Sequence, residues 1–250
     1  MLAKPFIKWV GGKSQLLEEI REKYPSKIEK YCEPFVGGGA VLFDILSKFQ
    51  PKKVLINDIN AELINTYSQI KNNCEEMISQ LSDLQSIYKN HSLEENKGFF
   101  YEKRTRYNEL KVNGNEAENL EKAVLFIFLN KTCFNGLYRV NSKGLFNVPF
   151  NNAKNPLLCD EENLKNCSTL LQNVEMTVGD YKECKSFIDD KGVSAKAVGC
   201  SALRSRSFLH SVSERLGRCS IASYVFCQGE VRFFYLQSSC SRPQSFFCNF

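Results

Sequence analysis

The stretch KYCEPFVGGGAVLFDILSKFQPKKVLINDIN, residues 30–60, decides how the chain is read. Its opening, Lys30 to Phe35, is short, apolar and β-prone, and it ends at three consecutive glycines, Gly37, Gly38 and Gly39. Glycine adopts backbone angles closed to other residues and lets the main chain pass close to a neighbour. From Ala40 to Phe49 the apolar residues Val41, Leu42, Ile45 and Leu46 recur at helical spacing. Lys53 to Ile56 is a second apolar strand, closed by Asn57, Asp58 and Asn60. Strand, glycine turn, helix, and strand with an acid at its end form a βαβ unit of a doubly wound α/β sheet.

Working outward, a helical stretch runs from Ala61 into the 80s. Residues 76–128 read as polar and helical, with a basic patch at Lys103, Arg104 and Arg106 and a buried helical turn from Ala123 to Leu129. The segment CFNGLYRVNSKGLFNVPF, residues 133–150, has Asn-Gly and Lys-Gly turn signals between short β-prone runs, so a β-hairpin projecting from the helical lobe is expected. After Pro156 another helix runs to about Gln172, and VEMTVGDY, residues 174–181, reads as a strand returning to the sheet. The expected organisation is a core's first part over 1–75, an inserted lobe over 76–156, a return to the core over 157–192, and a tail over 193–250.

A net charge of +5 permits a nucleic-acid partner without demanding one. The longest apolar run, Ala123 to Leu129, is far too short to span a bilayer, and MLAKPFIKWVGGK has no signal-peptide core. A soluble, cytosolic chain with no membrane partner is expected. The eleven cysteines include no CxxC pair, which argues against structural zinc and against a disulfide scaffold, so no metal is expected. The glycine turn precedes a helix N-terminus, and Asp58 follows about twenty residues later, where a carboxylate grips ribose hydroxyls. Those residues alone suit a nicotinamide dinucleotide equally well.

Four stretches in order carry more: KPFIKWVGGK (4–13), EPFVGGGAVLF (33–43), INDIN (56–60) and FNGLYRVNSKGLFNVPF (134–150). Together they closely resemble the Dam-type family of DNA adenine-N6 methyltransferases, over residues 4 to about 190. The resemblance implies a Rossmann-like methyltransferase sheet with an inserted, mostly helical DNA-recognition lobe. It implies S-adenosylmethionine as cofactor, duplex DNA as partner, GATC as target, a monomeric chain, and room for a restriction endonuclease counterpart in the same system. By that match Trp9, Lys13, Glu33, Pro34, Phe35, Gly37, Gly39 and Asp58 would bind the methyl donor. Lys13 suits its carboxylate, and Trp9, the single tryptophan, offers a flat face to a sulfonium or an adenine. Lys8, Phe134, Asn135, Leu137, Arg139 and Pro149 would meet DNA. Phe134 would fill the gap left by an extruded base, Arg139 would take a guanine bidentately, and Leu137 and Pro149 would pack on a thymine methyl.

Relatives accept the hydrogens of the target amine on an acid-Pro-Pro-Tyr motif shortly after the segment matching VGDY. No proline lies between Pro156 and Pro243, so that motif is absent. Composition changes at the same place. Residues 1–193 hold 22 Lys, 4 Arg and 21 Asn, whereas 194–250 hold 1 Lys, 6 Arg and 1 Asn, with Glu214 and Glu230 the only acids. A change of reading frame or a rearrangement between about Asp189 and Ala195 accounts for both observations, and a poorly ordered tail after about 193 is expected.

Overall fold

The computed structural model describes residues 2–189, 198–202, 221–227 and 230–236. The described chain forms an α/β structure of two compact units. One takes residues up to Gly12, then Gly38–Asp44 and Asn60–Gln172; the other takes Lys13–Gly37, Ile45–Ile59 and the described residues from Asn173 onward.

The second unit holds the sheet. Strands β1 (Lys30–Glu33), β2 (Lys53–Asp58) and β3 (Val174–Val178) lie parallel in the order β1-β2-β3. Tyr31 pairs with Val54 and Ile56 with Met176. Parallel strands covered on both faces read as continuous apolar runs, and β1 and the Val54–Asp58 part of β2 are buried throughout. β3 is more open, with Val174 buried and Val178 half exposed. Cys32, Leu55 and Cys184 form a small core against which Phe187 packs, and the Lys30 ammonium lies 4.6 Å from the Phe187 ring centre. α1 (Leu17–Arg21) precedes β1, and α2 (Ala40–Phe49) joins it to β2. After β3 come a 3-10 turn over Tyr181–Cys184 and α8 (Lys185–Asp189). Within the tail, β4 (Val198–Ala202), β5 (Ile221–Cys227) and β6 (Glu230–Leu236) pair antiparallel in a separate sheet. The expectation of a poorly ordered tail falls for the most part on residues outside those described.

The first unit is helical: α3 (Ala61–Asn72), α4 (Cys74–Asn90), α5 (Leu93–Asn113), α6 (Asn119–Thr132) and α7 (Glu161–Leu171). The single stretch expected from Ala61 onward is two helices, parted at Asn73, whose backbone leaves the helical range at φ −132°, ψ 38°. Asn60 caps α3 by accepting from the amides of Glu62 and Leu63, and Ser92 and Glu95 close a reciprocal cap on α5. α6 is buried without a break from Ala123 to Asn130, as a helix packed on several sides must be, and α3, α4 and α5 all lie against it. Aromatic edges interlock there, with Phe99 5.5 Å and Tyr88 6.3 Å from Phe128.

Three asparagines do in this unit what a strand ladder does elsewhere. Asn163 accepts from the Lys4 amide at 2.9 Å and donates to the Lys4 carbonyl at 3.0 Å. Asn130 accepts from the Lys8 amide at 2.9 Å and donates to the Lys8 carbonyl at 2.8 Å. Asn108 accepts from the Phe146 amide at 2.8 Å and donates to the Phe146 carbonyl at 3.1 Å. An amide side chain carries both a donor and an acceptor, so each satisfies both backbone groups of one residue in a segment that has no sheet to join.

Candidate functional site

The sheet end of the site starts at Gly37, whose φ of 51° lies in the left-handed region that glycine enters without strain. Its N–H donates to Asp58 Oδ2 at 3.1 Å, so the acid at the end of β2 holds the turn that follows β1. Asp58 is 9% exposed. The neighbouring Asn57 is wholly buried and donates to the carbonyls of Pro34 and Gly179 at 3.0 Å each, while Thr177 donates to its Oδ1 at 2.9 Å. One side chain thus stitches together the turns that leave β1 and β3. Glu33 is 2% exposed and accepts a 2.5 Å hydrogen bond from the Tyr31 hydroxyl. Phe35 lies partly buried, 6.0 Å from the Tyr181 ring. Lys13 is buried and begins the 3-10 turn Ser14–Leu16, its carbonyl accepting from Leu16.

The sequence assigned the glycine run to close passage beneath a ligand, but packing within the fold also demands Gly39 and leaves Gly38 little room. A Cβ at Gly38 would stand 3.2 Å from Trp9 Cβ and 3.7 Å from the Ile7 carbonyl oxygen. A Cβ at Gly39, where φ is 74°, would stand 2.4 Å from the Tyr67 hydroxyl. The first motif and the glycine run are therefore in direct contact through Trp9 and Gly38. Trp9 stacks on Tyr138 at 5.9 Å and lies 6.2 Å from Phe126, which ties the first motif to the segment after α6 as well.

That segment corrects the expected hairpin. It doubles back, but its antiparallel pairing is limited to two isolated bridges, Cys133 with Phe150 and Val140 with Phe146. Backbone bonds cross between its arms from the Asn147 amide to the Arg139 carbonyl at 3.1 Å and from the Asn141 amide to the Leu145 carbonyl at 2.9 Å. Side chains add to them: Asn108 grips Phe146, and Asn141 Oδ1 accepts from Lys143 and Leu145 at 2.9 and 3.0 Å. The turns stand where Asn-Gly and Lys-Gly put them, with positive φ at Asn135, Gly136 and Gly144. Phe134 is 48% exposed, its amide donating to the Pro149 carbonyl at 2.9 Å, and Asn135, Arg139 and Pro149 are exposed. Leu137 is half-buried, donating its amide to the Phe134 carbonyl at 3.2 Å.

Arg139 is not an open fork: Nε donates to Asn147 Oδ1 at 2.8 Å and Nη2 to the Asn147 carbonyl at 3.3 Å. The expected basic patch is likewise engaged. Arg106 pairs with Glu118 and Glu121 at 3.2 and 2.7 Å, Arg104 reaches the Val148 carbonyl at 3.3 Å, and Lys103 pairs with Glu102 at 2.9 Å.

Asn130 is the residue sequence reading missed. Beyond gripping Lys8, its amide donates to the Gly136 carbonyl at 2.9 Å, so one 4% exposed side chain fixes the Lys8 backbone against the loop carrying Phe134 and Arg139. Gly136 completes the fit, because a Cβ there would lie 2.7 Å from Lys8 Cβ. The available signal was position: Asn130 directly continues an unbroken apolar run, where a polar residue must be buried and bonded.

A parallel βαβ sheet with a glycine turn and an acid on the strand beside it defines an α/β protein. Residues 9–193 match the model of the D12 class N6 adenine-specific DNA methyltransferases, and the chain belongs to that family. It is 47% identical over 194 residues to a type II methyltransferase, M.MjaIII, of Methanocaldococcus jannaschii, a match covering 76% of this chain and 66% of the relative. It is 38% identical over 189 residues to the type II methyltransferase M1.LlaDCHI of Lactococcus lactis, covering 75% and 62%. To the DNA adenine methylase of Escherichia coli K12 it is 32% identical over 190 residues, covering 76% and 62%. The chain thus spans a little under two thirds of the length of these relatives. Among the described residues no helix is long and apolar enough to cross a membrane.

Proposed function

We propose that the chain is built for N6 methylation of adenine in duplex DNA at GATC, with S-adenosylmethionine as the methyl donor. The observation that carries this reading is Asp58, a buried carboxylate at the end of β2 bonded to the Gly37 amide, beside a turn held open by positive-φ glycine. Such a carboxylate suits the two hydroxyls of a ribose, and the donor's sulfonium supplies the methyl group. Glu33, Pro34, Phe35, Gly37, Gly39 and Asp58 shape the donor turn in this reading, with Lys13 and Trp9 from the first motif. Lys8, Asn135, Leu137, Arg139 and Pro149 meet the DNA, and Phe134 enters the stack where the target base leaves it.

For Arg139 to take a guanine edge, its bonds to Asn147 must open or rotate, so Asn147 acts as a rest position for the guanidinium. Residues 76–156 serve as the target-recognition lobe, and the protein works as a cytoplasmic monomer, with or without a restriction partner.

A second reading is favoured by one sequence observation, the lack of any proline between Pro156 and Pro243. Without the acid-Pro-Pro-Tyr motif the amine has no carboxylate to take its hydrogens, and the chain holds donor and DNA without turnover. Incubation with tritiated S-adenosylmethionine and a GATC duplex, alongside calorimetric titration of the donor, separates the readings. Label in DNA supports the first. Donor binding without label supports the second. Preference for NAD over the donor removes both.

A further inference from the structure

In the helical unit a cavity of about 160 Å³ opens between the first motif, α6 and the start of α7. Part of its wall is apolar, with Phe6, Ile127 and Leu164 at most 4% exposed and Leu157 58% exposed, and Lys4, Lys131, Asp160 and Asn163 supply the polar part. Three charges line it. Lys4 and Asp160 neutralise each other at 3.3 Å, and Asp160 is further occupied capping α7 through the Asn163 amide. The third, Lys131, has no hydrogen bond or ion pair with another described residue. Burial holds its ammonium below the ordinary lysine range, Asp160 draws it back up, and Lys8 and Lys4 add to the depression. A desolvated cation with a net charge to spare, lining a partly apolar chamber, is a receptor for one negative charge carried on an apolar body.

The volume sets the size of that body. A cavity of about 150 Å³ lined by aliphatic and aromatic residues accommodates benzene. The apolar part of the wall returns none of the hydration that a strongly hydrated anion such as phosphate would lose there, and it offers contact to a ligand's apolar body.

We propose that this cavity binds a small carboxylate with a compact apolar body of about benzene size, its carboxylate on Lys131. None of its lining residues is among those assigned to the methyl donor, so its test is separate from that of the methyl-donor reading. Benzoate serves as the probe, titrated into the full chain by calorimetry, with benzamide and inorganic phosphate as comparisons. The expected result is a Kd at or below about 1 mM for benzoate, with benzamide and phosphate each at least about tenfold weaker. Lys131→Met should abolish benzoate binding, as should Leu157→Trp, which adds bulk from the exposed side of the lining and spares the buried walls should the first variant fold poorly. No benzoate binding, phosphate binding as tightly as benzoate, or unchanged binding in both variants would each overturn the proposal. It is also overturned if Lys131→Met weakens DNA binding while the wild-type chain ignores benzoate, which would make Lys131 a contact for backbone phosphate.

Discussion

Replacing Asn130 by alanine removes three hydrogen bonds at once: the Lys8 amide and carbonyl and the Gly136 carbonyl lose their partner. Each bond is worth about 1 kcal/mol net, and a buried carbonyl left unsatisfied costs about 1–3 kcal/mol, so the loss should reach about 3–4 kcal/mol. Asn163→Ala removes the matching pair at Lys4 and should cost about 2 kcal/mol. Asn130→Asp is the sharper probe. A carboxylate still accepts from the Lys8 amide but cannot donate, and it faces the carbonyls of Lys8 and Gly136 with a negative charge. It should be at least as damaging as alanine although nearly isosteric. Urea unfolding followed by Trp9 fluorescence reports the unit directly, because Trp9 is the only tryptophan and stacks on Tyr138. With a slope of about 2 kcal/mol/M, the Asn130→Ala midpoint should fall by about 1.5–2 M. A cost under about 1 kcal/mol, or one smaller than that of Asn163→Ala, would refute the idea that the amide itself carries the connection.

Gly136→Ala forces a side chain at φ 63° against Lys8 Cβ and should destabilise by about 2–4 kcal/mol in the same assay. Phe134→Ala, at a half-exposed position, should change stability by less than about 1 kcal/mol yet weaken binding to a GATC duplex by about tenfold in fluorescence anisotropy. Asp58→Asn keeps an acceptor for Gly37 but loses the charge, and calorimetry should show donor affinity reduced by about tenfold or more with the melting temperature little changed. Hydrogen bonding from Arg106 holds Glu121 below its ordinary carboxylate value of 4.5, so the pair stabilises the fold above that pH and the contribution fades as pH falls through the lowered value. Both side chains are more than a third exposed, so an acid titration of stability should show a small effect that added salt erases.

The βαβ unit was legible because its signals are local: an apolar strand, glycines, a helical period, and Asp58 where the next strand ends. The helices of the first unit were legible for the same reason, although the break at Asn73 carries no proline or glycine to mark it. The 133–150 segment shows where local reading stops. Its turns were placed correctly by Asn135-Gly136 and Lys143-Gly144, but its few backbone bonds between the arms are supplemented by side-chain amides, one of them on α5, nearly forty residues away in sequence. Arg139 was legible as a cation, whereas its engagement by Asn147 follows from a loop geometry that no pattern encodes. Asn130 and Asn163 were missed because asparagine in a helix usually signals a surface. Only contact with Lys8 and Lys4, more than a hundred residues earlier, gives them their role.

The three amide grips also bear on how the protein ages. Hydrolysis of an asparagine amide turns a donor into a carboxylate, and it proceeds fastest where glycine follows and leaves the next backbone nitrogen unhindered. Asn108, Asn130 and Asn163 are followed by Glu109, Lys131 and Leu164, and each is locked in two or more hydrogen bonds. Asn113 and Asn135 are exposed and followed by Gly114 and Gly136. On storage, the first deamidations should therefore fall at these two exposed positions, the one at Asn135 adding a negative charge to the face proposed for DNA, while the internal grips stay intact.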